Sequence, residues 1–216
     1  PYGDDELYGM IDWLKTQCNK AGVKFHLNTM VTPEIIEEEF PDVAVIATGA
    51  RFVVEKVPGY DRPNVVAAPD VLEGKVDTGN KVIVWGGKGP GITTALYLAE
   101  KGKKVTLVCK ERKAGKDVNP SYVWRYIQKL DQVGVRTYRL SDIEEITDTG
   151  AIIREVTSTR IPIAADTIVF AEREPVTELM QAAKDLCPEV YVVGDALVPR
   201  RLHNAIHDGY RIGIRV

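Results

Sequence analysis

Residues Asn80 to Val108 constrain this chain more than any other stretch. Lys81–Trp85 is an apolar run, and Gly86-Gly87-Lys88-Gly89-Pro90-Gly91 is a glycine-rich turn. Ile92–Lys101 has helical spacing, and Lys104–Val108 is a second apolar run. A strand, turn, helix and strand within about 30 residues form a β-α-β crossover, so the two strands must lie parallel. A glycine turn that opens a helix also leaves free amides pointing outward. Together with the helix dipole they favour a pyrophosphate.

The remaining elements arrange themselves around that unit. Asp4–Ala21 carries Leu7, Met10, Ile11 and Leu14 at helical spacing, and Gly22 is placed to end the helix. Val23–Leu27 alternates like a short strand, and Asp42–Ala47 reads as a buried one. The stretch with Pro58, Gly59, Pro63 and Pro69 is too interrupted to predict regular structure. A helix is predicted at Ser121–Val133 and a strand at Val135–Tyr138. Ile143–Ile146, Ala151–Val156 and Arg160–Ile163 follow as an antiparallel meander, turning at Thr147–Gly150. Asp166–Phe170 and Val190–Val193 are further strands, and a last helix begins near Arg201. This order predicts an α/β, Rossmann-like fold with two dinucleotide-binding domains. The inserted NAD(P)-binding domain, a β-α-β unit plus meander, is placed at 78–163. The FAD-type domain, expected to be incomplete, is placed at 1–77 and 164–216.

Composition excludes several classes. A formal net charge of -3, with 27% charged residues, lacks the basic excess of a nucleic-acid partner. No apolar run approaches the ~20 residues of a membrane helix, and Pro1–Glu6 is unlike the start of a secretory signal. Three cysteines without a CxxC pair argue against a disulfide framework or zinc, and for the cytoplasm. His203 and His207 stand four apart on the last helix, but no third ligand is in view, so no metal is expected.

The nucleotide seat departs from the usual spacing. In G-x-G-x-x-G the middle glycine lets the backbone approach the pyrophosphate, and here that position is Lys88 between Gly86 and Gly91. Two readings stay open: Lys88 adds a cation for phosphate, or its side chain blocks the cradle. At the end of the second strand Cys109 takes the place of an acidic ribose ligand, with Lys110, Arg112 and Lys113 after it. Those cations suit NADP, unless the loop, with Glu111 among them, is only a solvated charged segment.

Three blocks then resemble one family in order and spacing. They are LKTQCNKAGVKFHLNTMVTPEIIEEEFPDVAVIATGAR, GNKVIVWGGKGPGITTALYLAEKGKKVTLV and VYVVGDALVPRRLHNAIHDGYRIG. They are similar to the C-terminal region of the fused NADH:flavin oxidoreductases, the group of 2,4-dienoyl-CoA reductase, 2-enoate reductases and trimethylamine dehydrogenase. The resemblance covers essentially the whole chain. It implies a flavin-dependent NAD(P)H oxidoreductase whose partner is its own N-terminal barrel, carrying FMN and a [4Fe–4S] cluster. Electrons would pass from NAD(P)H through FAD to that barrel, where an enoate- or enone-type substrate is reduced.

By the same resemblance Ala47, Thr48 and Gly49 form the turn beside FAD, and Gly194 and Asp195 hold its ribityl chain. Arg201 and Leu202 open the helix facing the flavin ring. Gly86, Gly87, Lys88 and Gly91, with Ala171 and Glu172, would line the NAD(P) side. Glu172 stands where the family's A-G-x-x-P turn has glycine, and Thr93 where relatives often have Glu. The family's first strand and its own GxGxxG are expected before Pro1, so half of the FAD site is expected outside this chain. Val43–Ala47 and Val190–Val193 are then expected to lack their central partner strand. No general acid or nucleophile is predicted, and the isolated chain is expected to be inactive. The rival reading is a degenerate nucleotide-binding or structural domain; a homo-oligomer stays open.

Overall fold

The computed structural model describes residues 5–216. Asp4, the expected start of the first helix, and residues 1–3 before it lie outside the described residues. In chain order the elements are α1 (Asp5–Lys20), α2 (Pro33–Glu39), β1 (Val43–Ile46), β2 (Ala50–Phe52), β3 (Val65–Ala67) and α3 (Ala68–Leu72). Then come β4 (Lys81–Trp85), α4 (Gly89–Glu100), β5 (Lys104–Cys109), α5 (Pro120–Gln132) and β6 (Arg136–Arg139). They are followed by β7 (Ser141–Thr147), β8 (Gly150–Glu155), β9 (Arg160–Ala164), β10 (Thr167–Phe170), β11 (Arg173–Pro175), α6 (Glu178–Leu186), β12 (Glu189–Val192) and α7 (Leu202–Gly213).

The main sheet has five strands in the order β3-β10-β4-β5-β6, and every pairing in it is parallel. Alternation along β4 explains why it is buried on both faces. Val82 and Val84 point into one core with Ile92, Leu96, Leu107 and Leu130, beneath α4 and α5. Ile83 and Trp85 point into the other, with Ile143, Ile146 and Ile153 of the meander β7-β8-β9. One face is thus roofed by helices and the other by a small antiparallel sheet, the fold class that the sequence implies. Each fully buried Ile or Leu in these layers contributes roughly 1.5–3 kcal/mol.

The main sheet also draws on strands from outside residues 78–163. β3 and β10 lie outside 78–163, yet both pair in the sheet, β10 directly against β4. A central strand such as β4 needs a neighbour on each side, and β10 supplies the one that β5 does not. Two expectations change. The Pro- and Gly-rich stretch holds β3 and the start of α3, and Val23–Leu27 forms no strand. Val23, Phe25 and Leu27 are exposed, with no neighbouring strand to fix the alternation.

The second unit is smaller. β1 and β12 pair in parallel, Val43 opposite Glu189 through Ile46 opposite Val192, and no third strand joins this sheet among the described residues. Ile36, Ile46, Ala183, Cys187 and Ala196 form its core between α2 and α6. β2 and β11 form an antiparallel ribbon. Among the described residues no helix is long and apolar enough to cross a membrane.

Candidate functional site

The glycine turn sits at the C-terminal end of β4, between the ends of β5 and β10. The Gly86 amide donates to Val108 O at 2.9 Å, and the Ala171 amide donates to Trp85 O at 2.8 Å. Gly86 has φ +123°, a conformation open to glycine but not to residues with a Cβ. A Cβ on Gly87 would lie 2.1 Å from that of Cys109, and one on Gly91 would lie 1.8 Å from Gly86 O. These glycines bring strand, turn and helix into contact. α4 then starts at Gly89 with Lys88 as its extended N-cap and proline in the first turn. The Thr93 hydroxyl donates back to Gly89 O at 2.9 Å.

Lys88 neither reaches freely outward nor fills the cradle alone. Its ammonium donates to Glu172 Oε2 at 2.8 Å. The two departures from the glycine pattern are therefore one ion pair, half-buried, spanning the turn and the end of β10. Burial pulls the Lys88 pKa down, but the hydrogen bond to Glu172 and the charges of Glu172, Glu111 and Asp117 outweigh it, and the net shift is upward. A second carboxylate lies at the helix start, where Asp117 Oδ1 accepts from the Gly89 amide at 2.7 Å. A third, Glu111, places Oε2 3.3 Å from where a Cβ on Gly87 would sit. That oxygen is buried and has no hydrogen-bond partner.

Glu111 is the residue that sequence reasoning passed over. It stands 20 positions after Gly91 (111 minus 91), the distance at which an acidic ribose ligand is expected, and that spacing was the available signal. The cationic loop behaves otherwise than expected. Lys110 turns to the meander side, bridging Glu55 and, at 3.2 Å, Asp142, while Arg112 and Lys113 are exposed.

Cys109 is fully buried, and burial first, then the Glu111 carboxylate, pushes its thiol pKa up to about 11. With a raised folded pKa, the stabilising effect is complete below 9.0, the ordinary value, and is lost as pH rises towards about 11. Cys187 is also buried, and Cys18 is partly exposed. At pH 8, a thiol-reactive dye should therefore label Cys18 promptly and the other two only on unfolding. Rapid labelling of Cys109 in the folded chain would contradict this.

The residues expected beside a flavin also come together. Val193 N donates to Ile46 O at 3.0 Å, which sets the loops after β1 and β12 side by side. Ala47 and Thr48 are exposed, Thr48 Oγ1 donates to Val176 O at 2.6 Å, and Gly49 has φ +78°. Asp195 accepts from Arg173 Nη1 at 2.6 Å and from the Arg200 amide at 2.8 Å. A carboxylate has about four acceptor positions, so capacity remains for a hydroxyl. The Gly194 amide donates to Asp208, which also pairs with Arg200. Arg201 is the N-cap of α7, and Leu202, its first residue, is exposed. Between this loop and the start of α4 lies a cavity of about 310 Å³, lined by Gly89, Thr93, Asp117, Arg173, Arg200 and Arg201 among others. The rings of His203 and His207 lie 4.2 Å apart, tilted at 51°, and no cluster suited to a metal occurs among the described residues.

Two nucleotide-type turns facing one cleft are matched by a family pattern. Residues 37–209 fit the pattern described as pyridine nucleotide-disulphide oxidoreductase. The chain belongs to that family. In this member the three cysteines are free. A 2-naphthoyl-CoA reductase, solved with 2-naphthoyl-CoA, is similar at 37% identity and TM-score 0.82, over 96% of this chain and 32% of that one. A metal reductase of Desulforamulus reducens is 28% identical over 100% of this chain and 37% of its own length. An NADH oxidase of Thermoanaerobacter brockii is 31% identical over 95% of this chain and 32% of its own. The chain thus spans about a third of these relatives, and as a family member it is a flavoprotein oxidoreductase domain of the FAD/NAD(P)-binding kind.

Proposed function

We propose that this chain is the dinucleotide-binding region of a fused NADH:flavin oxidoreductase. It would receive NADH at the Gly86–Gly91 turn and pass electrons through FAD to a barrel elsewhere in the protein. That barrel, with FMN and a [4Fe–4S] cluster, would reduce an enoate- or enone-type substrate. The relatives' partial coverage and the reductase among them support this reading. The inserted domain is taken to include β3 and β10, running from about Val65 to Phe170, with the FAD-type unit on either side. The free cysteines suit a reducing compartment, the cytoplasm.

The observation that carries the reading is the orphaned Glu111 oxygen under the glycine turn. A buried acceptor without a donor is costly, and a ribose diol is the donor that this position of the fold would meet. Gly87 and Gly91 let the turn pack directly on Cys109 and on Gly86, the close strand–turn–helix contact that a dinucleotide turn requires. Asp195 retains acceptor positions for a flavin hydroxyl. When bound, the nicotinamide and the flavin supply the hydride chemistry, while the chain binds, orients and holds water away. The same carboxylate selects NADH over NADPH, because a 2′-phosphate would meet a negative charge.

Calorimetry with NADH and NADPH tests this. Unaltered protein should bind NADH more tightly. Glu111→Ala should lose roughly tenfold or more in NADH affinity, as one charge-assisted hydrogen bond is worth about 1.5–3 kcal/mol. Equal affinities, or a preference for NADPH, would remove the basis for the assignment. The second reading, a nucleotide-binding domain that no longer turns over, is favoured by one observation, the Lys88–Glu172 pair across the turn.

A further inference from the structure

The loop from Lys110 to Asn119 lies across the glycine turn and is fastened to it. The Gly115 amide donates to Gly87 O at 2.7 Å, and the Val118 amide donates to Gly115 O at 2.9 Å. Gly115 has φ +75° and packs so closely that a Cβ there would meet Val123 at 2.6 Å and Ile92 at 2.9 Å. This turn sets Asp117 over the start of α4, where its Oδ1 takes the Gly89 amide. Asp117 also edges the cavity whose opposite wall carries Arg173, Arg200 and Arg201. Arg173 is held by Asp195 and Arg200 by Asp208. Among the lining residues, Asp117 is therefore the one acid in a cleft otherwise walled by donors and apolar groups.

We propose that Asp117 is a built-in occupant of the phosphate seat, and that the Lys110–Asn119 loop is a strap that dinucleotide binding must lift. This rests on the dinucleotide reading above and adds its regulation. The carboxylate places a negative charge on an amide at the positive end of a 12-residue helix, as a pyrophosphate oxygen would. An arriving pyrophosphate competes for that amide and is repelled by the carboxylate until the strap moves. Thr93 does not compete, because its hydroxyl is committed to Gly89 O. Glu111 belongs to the same loop, so a movement of the strap would reposition the ribose acceptor as it opens the phosphate seat.

The test is NADH titration of the unaltered chain, Asp117→Asn and Asp117→Ala, with hydrogen exchange of residues 110–119 before and after NADH. Removing the charge should tighten NADH binding about tenfold, the size of one charge-assisted contact, and alanine should gain at least as much as asparagine. In the unaltered chain, NADH should speed exchange at the Gly115 amide as its bond to Gly87 O opens. If the unaltered chain binds NADH, yet neither variant gains and Gly115 stays protected, the strap is wrong and the dinucleotide reading stands. If only the variants bind, the strap is supported in its strongest form. If none of the three binds, both readings fail. Should a variant not fold, the exchange measurement on the unaltered chain decides.

Discussion

Gly91→Ala is expected to lower the unfolding free energy by about 2–4 kcal/mol and to abolish dinucleotide binding. The added Cβ would lie 1.8 Å from Gly86 O and 2.8 Å from Gly86 C, both backbone atoms. No rotamer relieves such a contact, so either the first turn of α4 or the Gly86 peptide must shift. Neither can do so cheaply. Gly86 is tied to Val108 O, and its φ of +123° already requires glycine. β4 below it is locked between β10 and β5. Gly9 is the control, since it lies in α1 and a Cβ there meets nothing within 4 Å. Gly9→Ala should stabilise by roughly 0.5–1 kcal/mol through helix propensity. Thermal melts of both variants check the pair, and a Gly91→Ala protein melting with the parent would show that the turn is looser than described.

How far the sequence reaches depends on whether a feature is local. The β4-α4-β5 unit was legible because both-face burial writes itself as apolar runs and the turn as glycines. Its helix starts earlier than the apolar spacing suggests, since Gly89 and Pro90 form a first turn that proline accepts. The same property hid α3, where Pro69 reads as a breaker but occupies the first turn. β3 was illegible for a different reason: its three residues are a strand only because β10 lies beside them. Lys88 and Glu172 each depart from the glycine pattern and stand out singly in the sequence. Their union needs β10 next to β4, a juxtaposition of residues 84 apart that no local pattern announces. Glu111 was visible by spacing but was discounted among its basic neighbours. Only the fold, which turns Lys110 towards Glu55 and Asp142, separates the acid from the cations.

Because Lys88 and Glu172 form a pair, the two single glycine variants should behave oppositely. Glu172→Gly removes a carboxylate beside the turn and releases the ammonium, so NADH should bind roughly tenfold more tightly. Lys88→Gly does the reverse. It leaves Glu172, whose side chain is 22% exposed, unpaired next to an incoming pyrophosphate, and NADH should bind roughly tenfold more weakly. A lysine that merely blocked the cradle would instead tighten binding when removed. The double variant restores glycine at both positions and should lie between the singles. Its departure from additivity should be about 1 kcal/mol, the coupling of two groups in contact. The pair's direct effect on stability is smaller, ~0.5–1 kcal/mol, since Lys88 is 39% exposed and solvent screens it. Raising the salt concentration should shrink the gap between the single variants, because the effect is carried by charge rather than by shape. Additivity within about 0.5 kcal/mol would mean that the pair does not act as a unit, and tighter binding by Lys88→Gly alone would return the lysine to the role of a steric block.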